Sequence, residues 1–118
     1  MKFFYLNVHE GPVSISKTNS HELKPGMVIS NEPGYYGSKF GIRIENLELI
    51  KKVGNFLSFK TLTLIPYEKK LIDKSLLSKT EINQINKYHK LVNEKIKPFL
   101  TKRDGNLINF LNRKTSIL

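Results

Sequence analysis

Hydrophobic residues in the first half of the chain occur in short runs that glycine and proline separate. Gly26–Glu32 reads as one strand, which Pro33-Gly34 closes because proline cannot donate a hydrogen bond to a central ladder. Apolar and polar positions alternate in Gly41–Ile50 and again in Phe59–Ile65, and this period of two is typical of strands. Gly54-Asn55 lies between these two runs and fits a hairpin turn. The spacing therefore predicts three consecutive antiparallel strands.

The second half of the chain changes to a helical period. Ser78 and Glu81 have the spacing of a capping box, in which the two side chains satisfy backbone N–H groups at the start of a helix. Pro98 is expected to end this helix near its last turn, and Asp104 is expected to begin a shorter second helix. The first helix carries an apolar stripe with spacings of three and four residues, made of Ile82, Ile85, Tyr88, Val92, Ile96 and Phe99.

Charge is distributed unevenly along the chain. Residues 1–50 contain five basic and five acidic side chains, so the formal net charge of +10 lies entirely in residues 51–118. A basic half can attract nucleic acid electrostatically. Of the 20 basic residues, however, 17 are lysines scattered singly or in pairs. This pattern favours solvated lysines over a basic groove with stacking aromatics, so we do not expect a nucleic-acid partner.

Three further features of the composition limit the class of protein. The absence of cysteine excludes a disulfide framework and a thiolate metal site. No apolar run approaches the ~20 residues that a membrane-spanning helix needs. The apolar start Met1–Leu6 is too short for a signal peptide, because polar residues follow it at once. We therefore expect a cytoplasmic protein that does not bind membranes.

Two glutamates are candidates for metal chemistry. Glu32 ends the first predicted strand, and Glu45 lies inside the second, on the same face as Arg43. An acidic side chain within an apolar strand costs free energy unless it is paired or binds metal, and carboxylates suit hard divalent ions. A strand of a half-exposed sheet also often directs a glutamate into solvent. The spacing alone leaves both interpretations open.

One histidine has a suggestive context. His9 precedes a Gly-Pro turn, where an imidazole, which ordinarily titrates near neutrality, could shuttle a proton or donate to a substrate. A single histidine in a loop is also commonly an ordinary surface residue. His21 and His89 have no comparable context.

Three blocks of sequence, taken together, are highly specific to one protein family. They are Leu6–Pro12, which reads LNVHEGP, then Leu23–Tyr36, which ends in SNEPGYY, and Phe40–Leu47, which reads FGIRIENL. In their order and spacing these blocks resemble the family of Xaa-Pro aminopeptidases. The likeness continues through Leu62–Pro66 into Ile85–His89, a stretch that is similar to the C-terminal extension of the larger, three-domain cytosolic members.

This resemblance implies a fold and a domain division. The family has a pita-bread fold, so we expect an α+β chain that forms the C-terminal half of that fold. The expected structure is a curved antiparallel sheet of three or four strands followed by C-terminal helices. Residues 1–66 would form the C-terminal part of the metallopeptidase domain, and residues 67–118 would form the helical extension.

The resemblance also implies a metal site and roles for five residues. The family holds two divalent metal ions, commonly manganese, with two aspartates, one histidine and two glutamates. Glu32 matches the first glutamate ligand, and Glu45 matches the second, which bridges both ions. His9 matches a histidine that contacts the substrate and helps to stabilise the tetrahedral intermediate. Tyr36 and Arg43 match a pair that orients the ligands.

Several ligands of the family have no counterpart in this sequence. The histidine ligand stands in a His-Gly-x-Gly sequence that would fall just before Met1, and the chain has two aspartates, Asp73 and Asp104, neither at a ligand position. We therefore expect a C-terminal fragment of an aminopeptidase that releases the N-terminal residue from Xaa-Pro peptides, inactive by itself. Two alternatives are a subunit that completes its active site with a separate upstream chain, and a non-catalytic pita-bread module that binds peptides or proteins.

Overall fold

The computed structural model describes residues 12–101 and 104–118, and the chain divides into two compact units between Thr63 and Leu64. The first unit contains the β-strands, and the second contains the α-helices. The predicted α+β class is therefore confirmed. Within the two described ranges, no helix is long and apolar enough to cross a membrane.

Five strands form two antiparallel sheets. In chain order they are β1 (Val28–Asn31), β2 (Gly34–Tyr36), β3 (Gly41–Arg43), β4 (Asn46–Val53) and β5 (Phe56–Thr61). One sheet has three strands in the order β1-β4-β5, and the other consists of β2 and β3. The predicted small antiparallel sheet is confirmed, and the hairpin β2–β3 is an addition to it.

The predicted continuous strand Gly41–Ile50 is wrong, because Ile44 and Glu45 interrupt it. The reason is that its two parts pair with different partners: β3 pairs with β2, whereas β4 pairs with β1 and β5. The Ile44 N–H still donates to the Pro33 carbonyl, at 3.1 Å, and this bond closes the small hairpin. The chain then crosses from one sheet to the other at Glu45.

The turn between β4 and β5 is the predicted Gly54-Asn55 hairpin. Gly54 has a φ of 58°, in the left-handed region that a two-residue hairpin turn requires and that glycine adopts readily. Because the loop is so short, Val53 pairs directly with Phe56. The strand predicted at Phe59–Ile65 therefore begins three residues earlier than expected.

The same strand also ends earlier than predicted, at Thr61. The Leu62 N–H still bonds to the Leu47 carbonyl at 2.8 Å, but the Leu47 N–H donates to the side-chain hydroxyl of Thr63, also at 2.8 Å. A hydroxyl group thus replaces a backbone carbonyl at this point of the ladder. The regular pairing stops there, before the predicted end at Ile65.

The interior of the sheet unit lies along one face of β4. Ile50 is 1% exposed and pairs with Phe59, and Glu48 pairs with Thr61 in the same register. Paired residues of an antiparallel ladder share a face, so these four side chains lie together. The buried Glu48 carboxylate accepts a hydrogen bond from the Thr61 hydroxyl at 3.0 Å.

The first helix, α1 (Lys79–Ile96), begins as predicted. Ser78 is its N-cap, the Glu81 N–H donates to the serine hydroxyl at 3.2 Å, and the Ser78 N–H donates to the glutamate at 2.8 Å. Pro98 ends the helix as expected, within a 3₁₀ turn (Lys97–Phe99) that follows directly. Two short 3₁₀ turns, Lys69–Leu71 and Lys74–Leu76, precede α1.

The second helix, α2 (Gly105–Lys114), has the predicted Asp104 as its N-cap residue. Asn93 on α1 links the two helices, because its side-chain amide donates to Asn112 at 3.1 Å and to Thr115 at 2.8 Å. Among residues 64–101 and 104–118 of the helical unit, the buried side chains are His89, Val92, Leu111 and Thr115.

One member of the predicted apolar stripe is misplaced. Phe99 was expected on the buried side of α1, but its side chain is largely exposed. The 3₁₀ turn at Pro98 changes the rotation per residue from that of an α-helix. As a result, the helical spacing that predicted the position of Phe99 no longer applies there.

Candidate metal centre

The hairpin β2–β3 places two of the predicted site residues side by side. Its register pairs Gly34 with Arg43 and Tyr36 with Gly41. Side chains at paired positions and two residues away point to the same face of an antiparallel ladder. Tyr36 and Arg43 therefore share one face of the hairpin. Glu32 lies just before the hairpin, in the connection after β1.

Arg43 connects Tyr36 to Glu32. Its guanidinium forms a short ion pair with the Glu32 carboxylate, and its Nε donates to the Tyr36 hydroxyl at 2.6 Å. The other carboxylate oxygen of Glu32 accepts a hydrogen bond from the Ser30 hydroxyl at 2.9 Å. Both oxygens of Glu32 are thus held by neighbouring side chains, so its orientation is fixed from two sides.

Two glycines allow the Tyr36 ring to lie flat across the hairpin. A Cβ atom added at Gly41 would come within 2.8 Å of ring carbon Cδ1, and one added at Gly34 would come within 2.9 Å of Cε2. Both separations are shorter than any ordinary contact between carbon atoms. The glycines in these two strands are therefore a steric condition for the contact between Tyr36 and Arg43.

The electrostatic surroundings favour a charged Arg43. The hydrogen bond with Tyr36 is the largest cause that raises the pKa of its guanidinium, and the nearby carboxylates of Glu32 and Glu45 act in the same direction. Partial desolvation opposes them. The guanidinium therefore keeps its positive charge beside the Glu32 carboxylate and within reach of the charge of Glu45.

Glu45 does not lie inside a strand, and this corrects the sequence-based placement. It occupies the connection between β3 and β4 and is exposed. Its proximity to Arg43 therefore comes from the crossing between the two sheets, and a shared strand face does not explain it. The crossing still brings Glu45 close enough to Arg43 for its charge to act on the guanidinium.

His9 lies outside the described residues, so its predicted role stays a prediction. Among residues 12–101 and 104–118, no group of three or more histidine, aspartate or glutamate side chains could hold a metal ion. Glu32 and Glu45 nevertheless offer the carboxylate oxygens that hard divalent ions prefer. The described residues therefore supply some of the carboxylate ligands that such a metal site needs.

The contact of Ser30 with Glu32 was missed by the sequence analysis. The two residues are separated by one position at the end of an extended segment, so their side chains point to the same side. That spacing was a usable signal, because a hydroxyl two residues before a carboxylate in a strand is within hydrogen-bonding reach.

Two family models match this chain and together cover nearly all of it. Residues 3–52 match the model described as metallopeptidase family M24, and residues 55–118 match the model described as the C-terminal region of peptidase_M24. The second match alone spans more than half of the chain, and it begins close to the point where β5 begins.

Individual relatives support the same relationship. The chain is 46% identical to "Xaa-Pro aminopeptidase 1" of Dictyostelium discoideum, over 93% of this chain and 19% of the relative. It is 43% identical to "Probable Xaa-Pro aminopeptidase P" of Coprinopsis cinerea, over 95% of this chain and 20% of the relative. The chain thus spans about a fifth of the length of the relatives that it matches.

A solved structure matches both the sequence and the fold. It is the crystal structure of X-prolyl aminopeptidase from Caenorhabditis elegans, described as a cytosolic enzyme with a di-nuclear active site. The TM-score is 0.81 at 41% sequence identity, over 97% of this chain and 20% of that chain. The resemblance seen in the three sequence blocks is therefore confirmed, as is the prediction of a C-terminal part of the pita-bread fold.

Proposed function

Because this chain belongs to the M24 metallopeptidase family, we propose that it supplies the C-terminal part of the dinuclear site of an Xaa-Pro aminopeptidase. Such an enzyme releases the N-terminal residue from peptides with proline in second position. The observation that carries the proposal is the array formed by Glu32, Tyr36 and Arg43, in which Arg43 bonds to the other two side chains. Glu45 follows Arg43 two residues later, in the connection to β4.

Glu32 and Glu45 are the residues that would hold the metal ions. A carboxylate oxygen has two lone pairs. Each Glu32 oxygen can therefore accept the hydrogen bond seen here and still bind a cation. When bound, a pair of divalent ions, in our proposal manganese, supplies an activated water and polarises the scissile carbonyl.

Arg43 and Tyr36 act as positioning residues. Arg43 fixes the Glu32 carboxylate, and Tyr36 fixes the guanidinium through the 2.6 Å hydrogen bond to Nε. Residues that orient metal ligands in this way typically contribute about 10- to 100-fold to metal affinity or activity. His9 would donate a hydrogen bond to the substrate and to the oxygen of the tetrahedral intermediate.

The 118 residues contain two of the five ligands that the family uses. The aspartates present already serve other contacts in the helical unit, since Asp73 accepts hydrogen bonds from Ser75 and Asp104 accepts them from Thr101. The remaining ligands would have to come from polypeptide outside this sequence. Two carboxylates cannot hold two ions in a fixed geometry, so we propose that these residues alone do not catalyse peptide hydrolysis.

The domain division and the location follow from the same relationship. In our proposal residues 1–66 are the C-terminal part of the catalytic domain, and residues 67–118 are a helical extension. The protein would act in the cytoplasm, as the C. elegans enzyme is described to do. Its substrates would be peptides, which the protein could cleave once the other metal ligands are supplied.

A chimeric enzyme tests the proposal. The matching fifth of the C. elegans enzyme would be replaced by this chain, and manganese-dependent release of the N-terminal residue from an Xaa-Pro peptide would be measured. We expect activity that is lost in both Glu32→Gln and Glu45→Gln and is unchanged in Glu22→Gln, which alters an exposed glutamate away from the array. A folded chimera whose activity survives Glu45→Gln would contradict the ligand assignment.

A further inference from the structure

His89 is a buried titratable residue for which the proposed chemistry has no use. It lies on α1, its side chain is 0% exposed, and its Nε2 accepts a hydrogen bond from the backbone N–H of Tyr67 at 3.1 Å. A ring nitrogen that accepts a hydrogen bond carries no proton. The contact therefore requires a neutral imidazole with its proton on Nδ1.

A charged ring would gain only partial compensation, from the backbone of Ser116. Nδ1 is buried, and among the described residues no partner meets hydrogen-bond geometry with it. A positive charge on this ring would therefore be poorly solvated. Protonation would also place a hydrogen on Nε2, where the Tyr67 N–H already points. At acidic pH the N–H groups of Tyr67 and of His89 Nε2 would therefore face each other, and the hydrogen bond would be replaced by a repulsive contact.

The segment that His89 contacts leads into α1 from the start of the helical unit. Tyr88, the preceding residue on the helix, donates its hydroxyl to the Ile65 carbonyl at 2.9 Å. The Tyr88 ring also stacks on the Tyr67 ring, with 4.7 Å between ring centres. The contacts of residues 65–67 with α1 thus include a stacked ring pair and two hydrogen bonds. The bond to His89 has an acceptor that titrates near neutral pH.

The charged groups around this contact favour the neutral ring. Lys69 lies in the adjoining 3₁₀ turn and donates to the backbone carbonyls of Arg113 (2.9 Å) and Ser116 (3.2 Å), so its ammonium is anchored. Glu68 and Lys114 form an ion pair with each other. Burial is the main cause that lowers the pKa of His89, the charge of Lys69 lowers it further, and the Ser116 backbone partly opposes both.

We propose that the contact between His89 and Tyr67 is a pH-sensitive switch: it holds residues 65–67 on α1 while the imidazole is neutral and releases them when the imidazole is protonated. The geometry that carries the proposal is the complete burial of the ring and the acceptor role of Nε2. The device lies in the helical unit and does not depend on the metal site.

The direction of the effect follows from linkage. In the closed form burial holds the pKa of His89 below its ordinary value, and opening relieves that burial. The opened form therefore binds protons more readily, and the contact is stable above the ordinary pKa and weakens as the pH falls below it. The equilibrium constant for opening rises by at most about tenfold per pH unit within this window.

Hydrogen exchange of the 118-residue chain tests the proposal. Exchange would be followed by mass spectrometry of peptides that cover residues 64–70, between about pH 7.5 and 5, with correction for the intrinsic rate. We expect the protection of the Tyr67 N–H to fall as the pH decreases. In His89→Gln the amide oxygen can still accept the bond but cannot titrate, so protection should not depend on pH. His21→Gln, which alters an exposed histidine, should respond like the unchanged chain.

A second variant keeps the proposal testable if His89→Gln loses the contact at every pH. Lys69→Met removes the cation that lowers the pKa of His89, so the pKa read from its imidazole resonances should rise. The pH window over which protection falls should then become narrower. Protection that does not change with pH in the unchanged chain would refute the proposal, as would an unaltered His89 pKa in Lys69→Met.

Discussion

The helical unit provides a direct test of the described packing through two leucines on α2. Leu111 is 7% exposed, whereas Leu107, one turn earlier on the same helix, is 54% exposed. The two substitutions Leu111→Ala and Leu107→Ala change helix propensity by the same amount, so they form a matched pair. Any difference between their effects measures burial alone.

The magnitudes follow from the exposed fractions. Replacing leucine by alanine removes three carbon atoms, and at ~0.8 kcal/mol for each buried methylene this loses about 2.4 kcal/mol. The cavity that remains raises the cost of Leu111→Ala to roughly 3–4 kcal/mol. The half-exposed Leu107 should cost about 1 kcal/mol. At ~1 kcal/mol per molar urea, the two unfolding midpoints should differ by about 2–3 M.

Urea unfolding followed by circular dichroism at a helical wavelength measures this difference in the 118-residue chain. Because a unit of this size has little stability to lose, Leu111→Ala can also show reduced helix content before any urea is added. That result agrees with the reasoning. Equal midpoints for the two variants would refute it, since they would mean that α2 does not bury Leu111 against the rest of the helical unit.

Two further predictions concern the site. In the chimeric enzyme, Gly41→Ala should lower kcat/KM by about 10- to 100-fold because its methyl group displaces the Tyr36 ring from Arg43. The control Gly105→Ala, where an added Cβ meets nothing within 4 Å, should leave kcat/KM nearly unchanged. Equal losses in both variants would contradict the steric argument. The 118-residue chain alone, supplied with manganese, should release no N-terminal residue from an Xaa-Pro peptide; turnover that disappears in both Glu32→Ala and Glu45→Ala would disprove this.

Sequence reasoning succeeded where the signal is local. The capping box of Ser78 and Glu81, the end of α1 at Pro98 and the turn at Gly54-Asn55 each depend on a few neighbouring residues. The chemistry of those residues decides the backbone there, whatever the rest of the chain does. These positions could therefore be predicted without knowledge of the fold.

It failed where the pairing of distant strands decides the outcome. The alternation of Gly41–Ile50 changes phase at Glu45-Asn46, because Ile42 and Ile44 lie at even positions whereas Leu47 and Leu49 lie at odd ones. The phase change coincides with the change of partner strand, but it does not show which strand each part pairs with. The array of Tyr36, Arg43 and Glu32 also depends on the register of β2 with β3. The resemblance to a known family indicated these residues, but spacing alone could not show that they touch.

The buried face of α1 shows a third kind of limit. Ile85, His89, Val92 and Ile96 also have helical spacing, and the most buried members of this set are His89 and Val92. The predicted stripe contained Tyr88, whereas its neighbour His89 is the fully buried residue. Its hydroxyl instead reaches the Ile65 carbonyl, while the imidazole enters the interior and accepts the Tyr67 N–H. The backbone donor that pairs with this imidazole lies 22 residues away in the sequence, so helical spacing alone could not indicate it.

The central claim is that Glu32 and Glu45 are metal ligands, and the metal content of the chimeric enzyme tests it most directly. After dialysis against manganese, elemental analysis should find about two ions per chain in the chimera and in the Glu22→Gln control. Glu45→Gln should bind fewer ions because one proposed carboxylate ligand is lost. An unchanged circular dichroism spectrum would show that this variant is folded. A folded Glu45→Gln chimera that still holds two ions with unchanged affinity would contradict the account.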